Sequence, residues 1–116
     1  MIKIKRIYDA PSPQDGYRVL VDRLWPRGIS KEKAALDEWL KDIAPSADLR
    51  KWFDHKLDRF EEFSVSYTDE LLHNPAVSAL KKLITNKTNV TLLYAARDPQ
   101  INHAKVLQEF LERNNN

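Results

Sequence analysis

The pattern of apolar and polar positions predicts three β-strands. Residues 1–8 alternate isoleucine with lysine, and this two-residue period indicates a strand with one solvated face, which we expect near a sheet edge. Residues 17–22 and 90–96 each contain an apolar run with few polar interruptions. Such runs are typical of inner strands in a parallel sheet that is covered by helices.

The segment between the two apolar strands has the spacing of amphipathic helices. Apolar residues at the i, i+3, i+4 and i+7 positions of residues 36–43 predict one helix. Ser46 and Asp58 stand where the N-caps of two further helices are expected. The apolar residues that we expect in the core from these two helices are Leu49, Trp52, Phe53, Phe60, Phe63, Tyr67 and Leu71.

Two more helices complete the pattern. Asn74 and Pro75 are expected to open one helix, and Asp98 before Pro99 is expected to cap the last one. Strands, then helices, then a strand and a helix predict an α/β fold, in which a mostly parallel sheet is covered by helices. We expect one small layered domain over residues 1–113, with residues 114–116 as a frayed tail.

Composition and charge narrow the classes of protein. The chain has 116 residues, of which 42% are apolar and 31% charged, as in an ordinary soluble domain. Its formal net charge of +2 is small and evenly scattered, which argues against nucleic-acid binding. The absence of cysteine excludes disulfides and thiol chemistry. No apolar run approaches the roughly 20 residues of a membrane span, and no signal peptide opens the chain, so we expect a cytoplasmic protein.

Polar side chains follow the carboxyl ends of both inner strands. Ligands of open α/β sheets bind in the crevice beyond those ends. If the two strands are parallel neighbours, their polar residues face one crevice that suits a phosphate or carboxylate. The residues concerned are Asp22, Arg23, Trp25 and Arg27 after the first strand, and Tyr94, Arg97, Asn102 and His103 after the second.

His103 and Asp22 are the candidate catalytic residues. An imidazole there would transfer a proton or bind an oxyanion, and Asp22 would orient it. Arg23 and Arg27 would bind the anion, and His55, at the end of an aromatic helix, is a further candidate ligand residue. Structural alternatives stay open, because Asp22 can form an ion pair with a neighbouring arginine, Arg50 included, and a tryptophan at position 25 is often in the core.

Two classes of function remain. The first is an enzyme or binding protein for a small anionic ligand. The second is a non-enzymatic module that recognises a protein or nucleic-acid partner. No glycine-rich phosphate loop is present and the three histidines are dispersed, so neither a cofactor nor a metal is predicted. The sequence leaves the oligomeric state open.

Four strings carry a resemblance to a known family. They are R-V-L-V-D-R-L-W-P-R-G at residues 18–28, L-R-K-W-F at residues 49–53, T-L-L-Y-A-A-R-D at residues 91–98 and N-H-A at residues 102–104. Together they resemble the short, YeaO-like branch of the domain of unknown function 488 family. The resemblance implies a compact α/β fold in a bacterial or archaeal cytoplasmic protein, and it implies no function.

Longer members of that family are similar at the predicted crevice. Their aspartate–arginine strand end matches Asp22 and Arg23, and a histidine early in their last helix matches His103. This chain departs from the family pattern after His55, where His-Asp-Pro is frequent, and at Phe60, where tryptophan is common. Ile101 stands where a histidine often does, which weakens any paired-histidine or metal site.

Overall fold

The computed structural model describes residues 2–113 of the chain; Met1 and the expected tail lie outside them. Strands form at Ile2–Arg6 (β1), Tyr17–Leu20 (β2), Glu38–Trp39 (β3) and Val90–Tyr94 (β4). They pair in parallel in the order β1–β4–β2–β3. The prediction that residues 17–22 and 90–96 form inner parallel strands is confirmed, because β2 and β4 are neighbours inside the sheet. The first strand, whose direction the sequence left open, is a parallel edge strand.

Five α-helices lie within the described residues. Their bounds are Lys31–Ala34 (α1), Ala47–Phe53 (α2), Phe60–Leu72 (α3), Ala76–Thr85 (α4) and His103–Arg113 (α5). Single 3₁₀ turns form at Pro13–Asp15, Lys41–Ile43 and Leu57–Arg59. Over residues 2–113, no helix has the length and apolar character needed to cross a membrane.

The sheet separates two apolar clusters of unequal size. Val19, Val21 and Leu92 point into the larger cluster, together with the buried faces of α2, α3, α4 and α5. Leu20 and Leu93 point into the smaller cluster on the opposite face, which Ala34, Trp25 and Ile29 help to fill. Adjacent strand residues point to opposite faces. The layered α/β fold is therefore confirmed, with the thicker helical layer on one side.

The predicted helix over residues 36–43 is wrong. Trp39 belongs to the smaller cluster and Leu40 to the larger one, so consecutive side chains point to opposite faces of the sheet, as in a strand. The backbone of β2 would otherwise have an open edge, and the amides of Asp37 and Leu40 close it by donating to the carbonyls of Arg18 and Leu20 at 2.9 Å. Pairing of these backbone groups outweighs the helical spacing.

Three smaller predictions from the sequence are also wrong. Asp58 caps no helix, because a 3₁₀ turn leads directly into α3. Asp98 accepts hydrogen bonds from the amides of Gln100 and Ile101 in a turn. Asn102 caps α5 instead, because its side chain accepts from Lys105 N at 2.9 Å.

The third wrong prediction concerns Trp52, which was expected in the core. Its side chain is 37% exposed, with the Arg59 guanidinium over its ring at 5.3 Å.

A buried ion network joins the loop before β2 to α1. Arg18 donates to Asp15 at 2.5 Å and to the carbonyls of Ala34 and Ala35 at the end of α1. Lys5 is 3.1 Å from the other oxygen of Asp15. Burial raises the pKa of Asp15, but the hydrogen bond from Ser12 N and the contacts with Lys5 and Arg18 lower it more, so that it lies below 3.8.

Gly16 allows this loop to approach β4. Its φ is +66°, and a Cβ there would lie 2.3 Å from the carbonyl oxygen of Asn89. Only glycine fits both the left-handed backbone and the close approach. The next amide, Tyr17 N, donates to that same carbonyl at 2.9 Å, and this bond starts the pairing of β2 with β4.

We expect Phe63→Ala to lower the free energy of unfolding by about 3–5 kcal/mol, because the ring is buried and its loss leaves a cavity. Phe63 is 1% exposed and stacks on Phe53 at 4.2 Å between ring centroids. Trp52→Ala is expected to cost about 1 kcal/mol, and His73→Ala, on the surface, under about 0.5 kcal/mol. Urea denaturation in which Trp52→Ala costs as much as Phe63→Ala would contradict this placement.

Asp15→Asn is expected to lower the free energy of unfolding by about 3–5 kcal/mol at pH 7, because buried Arg18 loses its charged partner. The folded-state pKa of Asp15 lies below 3.8, so its contribution is present above that value and is lost as the pH falls through the folded pKa. The difference between wild type and variant should therefore be lost at a pH below the folded pKa. An undiminished difference in urea denaturation at that pH would contradict the lowered pKa.

Candidate functional site

The chain leaves β2 and β4 toward opposite faces of the sheet. After β2 it enters the smaller cluster through Trp25 and Ile29, and after β4 it reaches α5, which packs in the larger cluster. Neighbouring parallel strands that part in this way create a crevice beyond their carboxyl ends. The register, with Leu20 beside Leu93, places Asp22 at this crevice.

Asp22 and His103 meet in the crevice. Asp22 Oδ2 accepts a hydrogen bond from Ala95 N, the first amide after β4, at 3.1 Å. Its other oxygen, Oδ1, lies 3.1 Å from His103 Nε2. Both side chains keep some contact with solvent, 17% of Asp22 and 15% of His103. The carboxylate thus links the ends of β2 and β4 to the first residue of α5.

The protonation of His103 Nε2 follows from its neighbours. This nitrogen is 3.1 Å from the carbonyl oxygen of Val21 and 3.1 Å from Asp22 Oδ1. Both neighbours are acceptors, so Nε2 carries a hydrogen. The hydrogen bond goes to Val21, and Asp22 Oδ1 is left without one. Nδ1 is the nitrogen that remains for another group.

Tyr67 of α3 lies beside this pair. Its ring meets the His103 ring edge to face at 6.3 Å between centroids, and its hydroxyl donates to the carbonyl oxygen of Ile43 at 2.7 Å. Burial raises the pKa of Tyr67 well above 10; the charges of Glu70 and Asp22 raise it further, and Arg23 lowers it. Tyr67 is therefore a neutral hydrogen-bond donor that holds the ring of His103 in place.

Arg23 faces the same buried region. Its Nη2 donates to the carbonyl oxygen of Ala44 at 3.4 Å, a long hydrogen bond. Its Nε is buried and has no hydrogen-bond partner within residues 2–113. No ion pair joins Asp22 to Arg23, Arg27 or Arg50 in that part of the chain, so the expected structural alternative for Asp22 does not form.

Arg50 is a residue of α2 that the sequence suggested only as an ion-pair partner. Ser46, which caps α2, bonds to Glu70, while Phe53 at the end of α2 stacks on Phe63. These two contacts make α2 antiparallel to α3. Arg50 lies one turn before Phe53 on the same face of α2. Its Nε is likewise buried with no partner among the described residues.

Three predicted site residues have structural contacts. Trp25 Nε1 donates to the carbonyl oxygen of Ile29 at 2.9 Å. Tyr94 is 2% exposed, and burial is the largest cause of its raised pKa, so it stays a neutral phenol near neutral pH. Asn102 is 1% exposed and donates to the carbonyl oxygen of Asp98 at 2.8 Å. These contacts position the start of α5.

Three other predicted residues are exposed. No hydrogen bond or ion pair connects Arg27, Arg97 or His55 to Asp22 or His103 over residues 2–113. The carbonyl oxygen of Arg27 accepts from the Tyr8 hydroxyl at 2.8 Å, and the His55 ring lies 6.0 Å from that of Phe53. His55 also has a left-handed backbone, with φ of +55°.

A cavity of about 450 Å³ lies elsewhere, beyond the end of β1. Ile7, Tyr8, Gly28 and Ile29 are among the residues that line it, and none of the predicted site residues does. Among the described residues, no three His, Cys, Asp or Glu side chains are grouped so that they could bind a metal ion. The groups that meet at the crevice are the Asp22 carboxylate, the His103 imidazole and the Arg23 guanidinium.

A family model described as the "Inactive DUF488-N3 subclade" matches residues 1–116. The chain belongs to the DUF488 family. This match confirms the resemblance carried by the four sequence strings, including those that contain Asp22, Arg23 and His103.

The DUF488 chain also has relatives among curated proteins. The "Uncharacterized protein YeaO" of Escherichia coli (strain K12) is 46% identical over 110 residues, which cover 95% of this chain and 96% of that protein. The "Uncharacterized protein Rv3073c" of Mycobacterium tuberculosis (strain ATCC 25618 / H37Rv) is 43% identical over 110 residues, covering 95% of this chain and 92% of the relative. No solved structure matches the chain.

Proposed function

We propose that this DUF488 protein binds a small anionic ligand, without transforming it, in the crevice beyond β2 and β4. The observation that carries the proposal is a set of three unsatisfied atoms. Asp22 Oδ1, Arg23 Nε and Arg50 Nε are the buried side-chain polar atoms without a hydrogen-bond partner in residues 2–113. Asp22 and Arg23 are close enough to Tyr67 for their charges to shift its pKa.

The unsatisfied guanidinium donors favour an anion. A buried donor without an acceptor costs about 1–3 kcal/mol, and more when it is charged. Arg23 and Arg50 each have one such Nε, and no carboxylate within the described residues forms an ion pair with either arginine. A phosphate or carboxylate group between them would accept both hydrogen bonds and balance both charges.

His103 supports binding of the same group. Because Nε2 is hydrogen-bonded to Val21, Nδ1 can donate to an anion when the ring is protonated and can accept a hydrogen bond when it is neutral. The predicted proton transfer by His103 would require a reacting group, and the description of the matched subclade as inactive favours binding over catalysis. Asp22 would then orient the imidazole rather than activate it.

The predicted cytoplasmic location stays a proposal.

Arg23→Gln and Arg50→Gln test the proposed site. We expect each to weaken the binding of inorganic phosphate, measured by isothermal titration calorimetry, at least about tenfold, because a hydrogen bond to a charged group contributes about 1.5–3 kcal/mol. Arg113→Gln is the matched control. It makes the same change in charge on an exposed side chain, about 15 Å from the start of α5.

The control variant should bind phosphate as the wild type does. If wild type binds no phosphate, or if Arg113→Gln weakens binding as much as Arg23→Gln, the crevice is not an anion site. Capture of a protein or nucleic-acid partner through Asp22 and His103 would then favour the non-enzymatic recognition module. Thermal denaturation of each variant separates loss of binding from loss of folding.

A further inference from the structure

We infer that the cavity beyond β1 binds small molecules that carry an ammonium group on an apolar body, such as arylalkyl amines or apolar amino acids. This site is separate from the crevice beyond β2 and β4, so the inference does not depend on the proposed function. It is derived from the space in the cavity, from an aromatic ring held at its wall, and from charged groups that the protein leaves unpaired.

The cavity has the size and the apolar wall of a small-molecule site. Its volume is about 450 Å³, within the range of about 300–1,000 Å³ that is usual for ligand pockets. It lies between the loop after β1 and the segment that contains α1, where Ala10, Pro11 and Ile29 contribute apolar side chains. Apart from chain neighbours, a Cβ added to Gly28 would have no heavy atom within 4 Å, so the space beside this residue is open.

Tyr8 is an aromatic residue of the cavity wall that is held in place by two contacts. Its side chain is 41% exposed, yet its hydroxyl donates to the carbonyl oxygen of Arg27 at 2.8 Å. The guanidinium of Arg6 lies over its ring at 4.9 Å from the centroid. The hydrogen bond ties the loop after β1 to the residue before Gly28. A ring held in this way contacts a ligand with little further loss of side-chain freedom.

The charged residues of the cavity wall are Asp9, Glu32 and Lys33. All three are exposed, and none of them forms an ion pair within residues 2–113. Asp9 belongs to the loop after β1 and Glu32 to α1, so each of the two segments that form the cavity supplies a carboxylate. The two carboxylates outnumber the one ammonium group, and this excess of negative charge favours a cationic ligand.

The complementary ligand combines an ammonium group with an apolar body. The ammonium group has three donors, which suffice for the carboxylates of both Asp9 and Glu32. The apolar body would cover the surface offered by Tyr8 and Ile29, and burial of that surface contributes to affinity. Lys33 would pair with a carboxylate where the ligand has one, as an amino acid does. A ligand that has only a carboxylate meets two like charges and one opposite charge.

Three probes that share a phenyl ring and a short carbon chain test the inference. Phenethylamine has only an ammonium group, hydrocinnamate has only a carboxylate, and phenylalanine has both. Amide signals in NMR spectra of isotope-labelled protein report the affinity and the location of each probe. We expect phenethylamine to bind about tenfold more tightly than hydrocinnamate, because each exposed ion pair contributes about two- to fivefold. The shifts should concentrate at residues 7–11 and 28–33.

The order of the two ammonium probes identifies the class of ligand. Phenylalanine binding more tightly than phenethylamine would indicate an amino acid, with Lys33 paired to its carboxylate. The reverse order would indicate an amine without a carboxylate.

Glu32→Gln provides the matched variant. It changes an exposed side chain that forms no ion pair within the described part of the chain, so we expect the fold to be unchanged. The affinity for phenethylamine should fall about two- to fivefold, whereas the affinity for hydrocinnamate should not fall. Glu62→Gln makes the same change in charge on the exposed side of α3, which packs on the other face of the sheet, and it should leave both affinities as they are.

Two results would overturn the inference in the wild-type protein. One is hydrocinnamate binding as tightly as phenethylamine, and the other is no shift around the cavity with either ammonium probe at about 10 mM, a concentration that detects millimolar binding. Among the variants, an equal loss of phenethylamine affinity in Glu32→Gln and Glu62→Gln would also overturn it, because binding would then follow the net charge of the protein and not the cavity.

Discussion

The parallel pairing of β2 with β4 brings together Asp22 and Ala95, which are 73 positions apart in the chain. Leu20 lies beside Leu93 in this register, so the carboxylate that follows β2 reaches the first free amide after β4. The same register places His103, at the start of α5, within 3.1 Å of that carboxylate. A shift of one residue would move Asp22 to the other face of the sheet and separate the pair.

The larger apolar cluster completes the crevice, because this cluster holds α2 and α3 against the crevice. The stack of Phe53 on Phe63 and the bonds from Ser46 to Glu70 hold these helices antiparallel. Tyr67 of α3 is consequently held with its ring against that of His103. The Asp22 carboxylate and the His103 imidazole are thus positioned by packing.

The sequence predicted the parts of this fold that depend on long apolar runs. The strands containing Val19 and Leu92 were found because inner parallel strands are apolar on both faces. The segment around Trp39 was mistaken for a helix, because four apolar residues fit the helical spacing and the two-residue strand that forms there is too short to show alternation. This segment forms a strand because the edge of β2 would otherwise be unpaired, and no local sequence pattern indicates that edge.

Part of the site could be predicted from the sequence because its residues follow the predicted inner strands. Asp22, Arg23 and His103 directly follow inner strands or open the next helix, so the strand ends locate them. Tyr67 comes from a helix face, and only the packing of α3 on α5 brings its ring against His103. Arg27, Arg97 and His55 also follow predicted elements, but their loops carry them to the surface, and loop direction depends on tertiary contacts.

The central claim, that Arg23 and Arg50 donate to one bound anion, can be observed directly. Proton–nitrogen NMR spectra of the arginine Nε–H groups, assigned with Arg23→Gln and Arg50→Gln, would be recorded while inorganic phosphate is added. Hydrogen bonding to an anion predicts that both signals shift and exchange more slowly with water at saturation, while the Arg113 signal stays in place. Signals of Arg23 and Arg50 that do not move, or that move no more than Arg113, would contradict the account.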